Sequence, residues 1–441
     1  MVRLLIIADD FTGALDTGVK FAESGAEVRV IRDEQYDFTC TSEQVSVLVM
    51  DAETRHISSQ DAYRKVYHIT KNAREAGIPY IYKKTDSALR GNIGSELTAV
   101  LDGSGCQVLH FLPAFPKMGR TTQNGIHYID GIPVQESVFG KDPFEPVTCS
   151  EIPKMIAAQS KASVRVVSDG IVMTGGEMAG IGKPEIAVYD AKTDDDMAAL
   201  AHALSDAGQL GVLAGCAGMA ETLPALLKLA GGRHKQPEFI PKLLVACGSV
   251  NPITCAQLDY AEKRGFVRLR LTPRQKLDPE YFQTEIGRTK ARELLECYRN
   301  SALCILDSND TAEEPDTRRY AQELGLDRDT LRVRIADTLG YLVRCFIENA
   351  SDCTLLITGG DTLLGFMKQA QVEEMIPICE MAPGTVLSQF EIKGKVYKLI
   401  SKSGGFGKEN LIVELAEQIL GEKRRECYVD ELQLEAAARD L

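Results

Sequence analysis

The sequence predicts an α/β protein built from two α/β domains, with a Rossmann-like parallel sheet in the N-terminal half and a second α/β domain after it. Three observations carry this expectation. Short apolar runs alternate with amphipathic segments along the chain, as in parallel sheets covered by helices. One polar stretch with glycines and prolines, AGGRHKQPEFIPK at 230–242, interrupts the alternation and reads as a linker. The 441 residues are enough for two or three domains at roughly 100–200 residues each. The domains are therefore expected over 1–232 and 240–441.

In the first half, RLLIIADD (3–10) is strand-like. Ala14 to Ser24 is helical, Gly25 stops it, and EVRVI (27–31) is the next strand. VSVLVMDAET (45–54) is a strand running into Asp51 and Glu53. DAYRKVYHITKNAREAG is helical up to Gly77, and IPYIY (78–82) is a strand. GSELTAVLDG starts a helix, and CQVLHFLPAF (106–115) is again a strand. These strands end in polar or glycine-rich loops, and ligands of open α/β sheets collect outside such carboxyl ends. From Gly119 to Val147 the pattern breaks into a long loop with a hairpin, HYIDGIPV, turning at Asp130-Gly131. Order returns with a helix near 150–159, strands SVRVV and EIAVYDA, a TDDD cap leading into a helix, strand QLGVLAG and a helix over 219–229.

The second half repeats the alternation. KLLVACGSVNPIT is a strand and turn before a helix at 254–264. VRLRL and ALCILDS are strands, and a long helix covers 331–350. CTLLITGGDTLLGFM and VYKLISKSGGFGKENLIVELAEQIL each read as strand, glycine turn, helix. The tail CYVDELQLEAAARDL is charged, and no internal repeat is evident.

A net charge of −13 argues against nonspecific binding to nucleic acid or acidic membranes, which need a basic face. An anionic substrate would need a locally basic pocket. Twelve cysteines without a CxxC pair read as reduced thiols of a cytoplasmic protein. Six histidines without HxxxH or HExxH spacing predict no metal site in the protein itself. The N-terminal apolar run is too short for a signal peptide, and no stretch approaches the ~20 apolar residues of a membrane span. A homodimer is the commonest assembly of soluble oligomers.

Three strand ends of the second half carry small-residue loops that open helices: CGSVNP (247–252), TGGDT (358–362) and SKSGGFG (401–407). Glycine lets backbone N–H groups approach a phosphate, and a helix N-terminus adds favourable partial charge. One such turn serves structure as readily as binding. Three in one domain point to phosphate binding, with the hydroxyls of Ser249, Thr362, Ser401 and Ser403 as further donors. Asp361 could hold Mg²⁺ through water. Neither the P-loop nor the dinucleotide fingerprint is present.

In the first half, ADDFTGALDTG (8–18) sets Asp9 and Asp10 after the first strand. Helix capping by Asp10 or Thr12 explains one acid. A carboxylate that binds or deprotonates a hydroxyl explains the second. KKTDSALRGNIGSEL (83–97) adds Lys83, Lys84, Asp86, Arg90 and Gly91; the plainer alternative is a solvated charged loop with Ser95 capping the next helix. Arg90 can grip a carboxylate with two parallel bonds, while lysine is a point charge. PKMGRTTQNG (116–125) adds Lys117 and Arg120, and DAET adds Asp51 and Glu53. Together these loops describe a pocket for a small, hydroxylated anion.

ADDFTGALD, KKTDSALRGNIGSEL, LPAFPKMGRTTQNGIHYIDGIPVQESVFGKDPFEPVT, LLVACGSVNPIT, ITGGDT and SKSGGFG resemble, in order, the signature blocks of the four-carbon acid sugar kinase family. The blocks run from residue 8 to about 407. The resemblance implies an ATP-dependent, Mg²⁺-assisted kinase of threonate, erythronate or 3-oxo-tetronate, with an acid-sugar domain followed by a nucleotide domain. It puts Ser249, the Gly359–Thr362 turn and the Gly404–Gly405 turn on ATP. Asp9, Asp10, Lys84, Asp86, Arg90, Gly91 and Arg120 fall in the acid-sugar blocks. Arg90 and Lys84 are expected on the substrate carboxylate with Arg120 in support. Asp10 or Asp86 is expected to be the base, with Asp10 favoured because it follows the first strand. A sugar-acid dehydrogenase would need a dinucleotide fingerprint, and an acid-sugar sensor would not need three glycine turns.

Overall fold

A computed structural model describes residues 2–33, 35–38, 41, 44–142, 146–172, 182–231, 237–311, 316–350 and 352–421. The centre of the expected linker (232–236) and the tail after Gly421 lie outside them. The chain divides into two compact units, Met1–His234 and Lys235–Leu441. Both are α/β.

The strands of the first unit are β1 (Leu4–Ala8), β2 (Val28–Ile31), β3 (Val47–Asp51), β4 (Tyr80–Lys84), β5 (Val108–Leu112), β6 (Arg120–Gln123), β7 (Ile126–Ile129), β8 (Ile132–Pro133), β9 (Ser163–Val167), β10 (Glu185–Tyr189) and β11 (Val212–Gly215). All but β6–β8 form one parallel sheet in the order β2-β3-β1-β4-β11-β5-β10-β9. β1, LLIIA, is buried at every residue, as a parallel strand covered on both faces must be. Its Leu5 and Ile7 join Leu48, Met50, Ile81, Val66 and Leu97 in one apolar core. Burial of each such side chain stabilises by about 1.5–3 kcal/mol. β6, β7 and β8 form a small antiparallel sheet. Its second turn is at Asp130-Gly131, where both residues have positive φ, as expected of that dipeptide.

Two local expectations are corrected. The helix Ile93–Ser104 is preceded by Asn92, so Ser95 lies inside its first turn and does not cap it. The helix expected over 219–229 is two short ones, Ala217–Ala220 and Leu223–Leu226. Pro224 supplies no N–H to continue the first into the second.

The second unit contains β12 (Leu243–Cys247), β13 (Val267–Arg270), β14 (Leu303–Asp307), β15 (Thr354–Thr358), β16 (Glu374–Ala382), β17 (Thr385–Ile392) and β18 (Lys395–Lys402). Their order is β13-β14-β12-β15-β18-β17-β16. The first five run parallel, and β16 to β18 form an antiparallel meander.

The two orders share a motif that the sequences do not advertise. β2-β3-β1-β4 and β13-β14-β12-β15 follow the same path: away from the first strand, back beside it, then across to its other side. In each unit the connections diverge between the first and fourth strands. That divergence is where open α/β sheets form ligand crevices. It lies between the ends of β1 and β4 in one unit, and of β12 and β15 in the other.

Candidate active site

At the carboxyl end of β1, Asp10 caps the helix Phe11–Glu23 by accepting from the Gly13 N–H at 3.0 Å. Glycine at 13 is required by space. A Cβ there would stand 2.5 Å from Asp10 Oδ1 and 2.6 Å from Lys84 Nζ. Lys84 ends β4 and is 4% exposed. Its ammonium makes no hydrogen bond or ion pair among the described residues. Burial disfavours its charge, but Asp9, Asp10, Asp16 and Asp86 together outweigh burial and raise its pKa.

Arg55, in the loop after β3, is the residue that sequence reasoning missed. Its Nε donates to Asp9 Oδ2 at 2.8 Å, its Nη1 to Asp10 Oδ2 at 2.8 Å, and its Nη2 lies 3.6 Å from Asp86 Oδ1. Its only sequence signal was its position just past Asp51 and Glu53. Asn92 fixes that loop by donating to the carbonyls of Thr54 and Ile57 at 2.8 and 2.9 Å. Gly91 packs behind it: a Cβ at 91 would lie 3.2 Å from Arg55 Cγ.

Asp86 accepts two parallel bonds from Arg90, both 2.8 Å. Burial raises its pKa, but Arg90 and Arg55 overcome this and hold the carboxyl well below the usual range. Burial likewise pushes Asp9 upward, and Arg55, Lys84 and Lys83 bring it below its ordinary value. Asp9 Oδ1 is buried without a hydrogen-bond partner among the described residues. Asp51 behaves differently. Burial drives its pKa well up, and its Oδ2 is another buried oxygen without a partner among the described residues. Arg90 and Arg120 both lie over the Phe139 ring, at 5.4 and 5.8 Å from its centroid. Burial lowers the Arg120 pKa.

The structure thus brings together Asp9, Asp10, Lys84, Asp86, Arg90 and Arg120, with Gly91 as support. It does not add Lys83. That ammonium is fully buried, 2.9 Å from Glu96, and donates to the carbonyls of Ile7 and Lys84 at 3.2 and 2.7 Å. Lys83 therefore fastens β1 to β4 beneath the site. Successive residues of a strand point to opposite faces, which separates Lys83 from Lys84. Lys117 pairs with Glu221 at 3.6 Å.

In the second unit, Ser249, Gly359 and Gly404 converge. A Cβ at Gly404 would lie 2.8 Å from Ser249 Oγ, and one at Gly359 would lie 3.6 Å from the Ser249 N. The Thr362 hydroxyl sits over Gly248, and Gly405 lies against Asn251. The helix Gly360–Ala370 starts at Gly359, whose φ of 99° only glycine adopts easily, and no side chain caps it. Its first-turn N–H groups are left for an anion. Thr254 fixes the third turn by donating to the Gly404 carbonyl at 2.7 Å, and Gln257 donates to those of Phe406 and Lys408 at 3.1 and 2.8 Å. Asp361 is half-exposed, 3.5 Å from Arg332. Among the described residues no cluster of three or more histidine, cysteine or carboxylate side chains could hold a metal. No described helix is long and apolar enough to cross a membrane.

A charged, hydroxyl-accepting crevice in one α/β unit and glycine turns in the other define a two-domain small-molecule kinase. Comparison with known proteins agrees. Residues 4–223 match a family model described as a sugar-binding N-terminal domain, and 244–412 one described as a nucleotide-binding C-terminal domain. The chain belongs to the four-carbon acid sugar kinase family. It is 30% identical to the D-threonate kinase of Salmonella typhimurium, over 94% of this chain and 97% of that one. It is 27% identical to the D-erythronate kinase of Heliobacterium modesticaldum, over 97% and 99%. It is 25% identical to the 3-oxo-tetronate kinase of Pseudomonas savastanoi, over 94% and 97%. Crystal structures from Salmonella typhimurium and Haemophilus influenzae share the fold, with TM-scores of 0.74 and 0.68 at 20% and 21% identity. Each covers 95% of this chain and 100% of the other.

Proposed function

We propose that the protein transfers the γ-phosphoryl group of ATP to a hydroxyl of a four-carbon sugar acid: D-threonate, D-erythronate or 3-oxo-tetronate. The observation that carries this reading is the meeting of Lys84 and Asp10 over Gly13. An ammonium that is buried and without a partner among the described residues stands beside a carboxylate, as a molecule with one carboxylate and adjacent hydroxyls requires. Lys84, Arg90 and Arg120 take the substrate carboxylate. Asp10 orients or deprotonates the attacking hydroxyl. Both acids accept hydrogen bonds, Asp86 from Arg90 and Asp10 from Gly13 and Arg55; Asp10 is favoured as the base because it follows the first strand and meets the Lys84 ammonium over Gly13. The glycine turns at Ser249, Gly359–Thr362 and Gly404–Gly405 hold the phosphates of ATP. Phosphoryl transfer needs little beyond such positioning and charge stabilisation. Mg²⁺, when bound with the phosphates, would offset their charge, and Asp361 would hold it through water, since Mg²⁺ needs few protein ligands.

The test is ADP release from Mg-ATP by the purified protein with D-threonate, L-threonate, D-erythronate, L-erythronate and 3-oxo-tetronate in turn. Turnover on one acid supports the reading and names the substrate. Silence on all five, in a protein that still binds ATP, sinks the four-carbon acid and moves the panel to longer sugar acids.

A further inference from the structure

Lys402 ends β18, immediately before the Ser403–Gly407 turn. It is 1% exposed. Its ammonium has one hydrogen bond, to the Ser403 carbonyl at 3.0 Å. No carboxylate pairs with it among the described residues. A buried cation without a counter-charge is costly, and burial pushes its pKa down to about 8.

The sheet register shows what lies around it. Thr358 of β15 and Thr385 of β17 are its partners on either side, and Cys247 of β12 is the partner of Thr358. Residues in register project from the same face of a sheet. Both threonine hydroxyls are fully buried and without a hydrogen-bond partner among the described residues. Cys247 Sγ donates to the Ser249 carbonyl at 3.5 Å, which ties this row to the first of the glycine loops. An ammonium and two hydroxyls are therefore gathered at the strand ends with one acceptor between them. Three other cations of this unit face carboxylates: Lys276 meets Asp310 at 2.6 Å, Arg268 meets Asp307 at 2.7 Å, and Arg332 lies near Asp361 at 3.5 Å.

We infer that Lys402 is the cation that neutralises a phosphate group of the nucleotide held by the three glycine turns, with the Thr358 and Thr385 hydroxyls as accompanying donors. Lysine suits this role because its ammonium is a compact point charge with three donors. The inference rests on the nucleotide reading of the second unit.

Calorimetric titration of the wild type, Lys402→Gln and Lys402→Arg with adenosine, AMP and ADP tests it. Glutamine can still donate to the Ser403 carbonyl but carries no charge. The expected result is a loss of about tenfold or more in ADP affinity for Lys402→Gln, the size of one charge-assisted contact, with adenosine affinity within about twofold of wild type. Lys402→Arg is expected between the two. Wild-type ADP affinity in Lys402→Gln overturns the inference. So does an equal loss for adenosine and ADP, which would make Lys402 a support of the fold. Should Lys402→Gln fail to fold, Thr358→Val is titrated instead: weaker ADP binding with unchanged adenosine binding supports the donor set, and unchanged ADP binding overturns it. A folded wild type that binds neither adenosine nor ADP overturns the nucleotide reading and this inference together.

Discussion

Arg55 donates to Asp10 through a 2.8 Å bond from Nη1 to Oδ2, and the same guanidinium holds Asp9 from the other side. One arginine thus sets the distance between the two acids that follow β1. Burial disfavours its charge, but Asp10, Asp9 and Asp86 outweigh this and raise its pKa well up.

Replacing Arg55 separates charge from geometry. Lysine keeps the charge but cannot bond Asp9 and Asp10 together. Arg55→Lys is therefore expected to fold and to lose about 10²-fold in kcat/KM, the scale of a misplaced catalytic group. Arg55→Met leaves buried carboxylates without their counter-charge, which destabilises by about 3–5 kcal/mol. Thermal denaturation beside steady-state kinetics checks both. A Met variant with the wild-type Tm would show that Asp9 does not depend on this arginine.

Asp10 caps a helix, pairs with Arg55 and is the proposed base, and one substitution separates the last role from the first. Asparagine caps a helix about as well as aspartate but offers Arg55 a neutral acceptor in place of a carboxylate, so Asp10→Asn is expected to lower stability by about 1–3 kcal/mol. It removes the carboxylate proposed to orient the attacking hydroxyl, and kcat is expected to fall far more than KM rises. Asp86→Asn breaks the paired bonds with Arg90 and is expected to act mainly on KM for the sugar acid. Near-normal kcat in Asp10→Asn would remove Asp10 from the base role.

Strands with continuous apolar runs, such as β1 and β12, were legible because burial on both faces leaves an unbroken signature. The acidic and glycine loops were legible because they sit at the ends of those runs. Arg55 was not, because its role depends on the side-by-side packing of β1 and β3, 46 residues apart in the chain for the Asp9 contact. Lys83 and Lys84 looked alike in sequence, and only the alternation of the strand sends one beneath the site and the other into it. The first two strands of the meander, β16 and β17, went unread because burial along β17 spans both faces near its start, which erases the period-two pattern; β18 was legible. The matching paths of the two sheets leave no trace in residue identity, since topology is set by where strands pair.

Gly359 offers a test confined to the second unit. Its φ is 99°, and alanine there has room but the wrong backbone: the nearest atom to an added Cβ is Thr362 Oγ1 at 3.4 Å. Strain of this kind costs about 1–3 kcal/mol. Gly359→Ala is expected to lower the Tm slightly and to raise KM for ATP several-fold, while KM for the sugar acid stays put. Kinetics with each substrate varied in turn provide the check. A rise in both KM values alike would deny the turn a specific part in nucleotide binding.

His127 links the hairpin sheet to the loop after β4, and it makes that link sensitive to acid. Its Nε2 lies 2.9 Å from the Ser87 carbonyl and its Nδ1 3.2 Å from the Thr122 hydroxyl. Because a carbonyl only accepts, Nε2 carries the proton and Nδ1 accepts from Thr122. Burial lowers its pKa from 6.5 to about 4. Below pH 6.5 the unfolded chain takes up a proton that the folded chain refuses. Stability from this residue is therefore complete above about pH 6.5 and declines as pH falls toward 4, by up to ~1.4 kcal/mol per pH unit. Buried His110, also lowered to about 4, adds a decline of the same sign. His127→Gln removes one of the two groups, so its denaturation midpoint in urea is expected to fall less steeply than that of the wild type between pH 6.5 and 4.5. Carboxylates that titrate in the same range are common to both proteins and cancel in the difference. Parallel profiles would mean that His127 is not held neutral by burial.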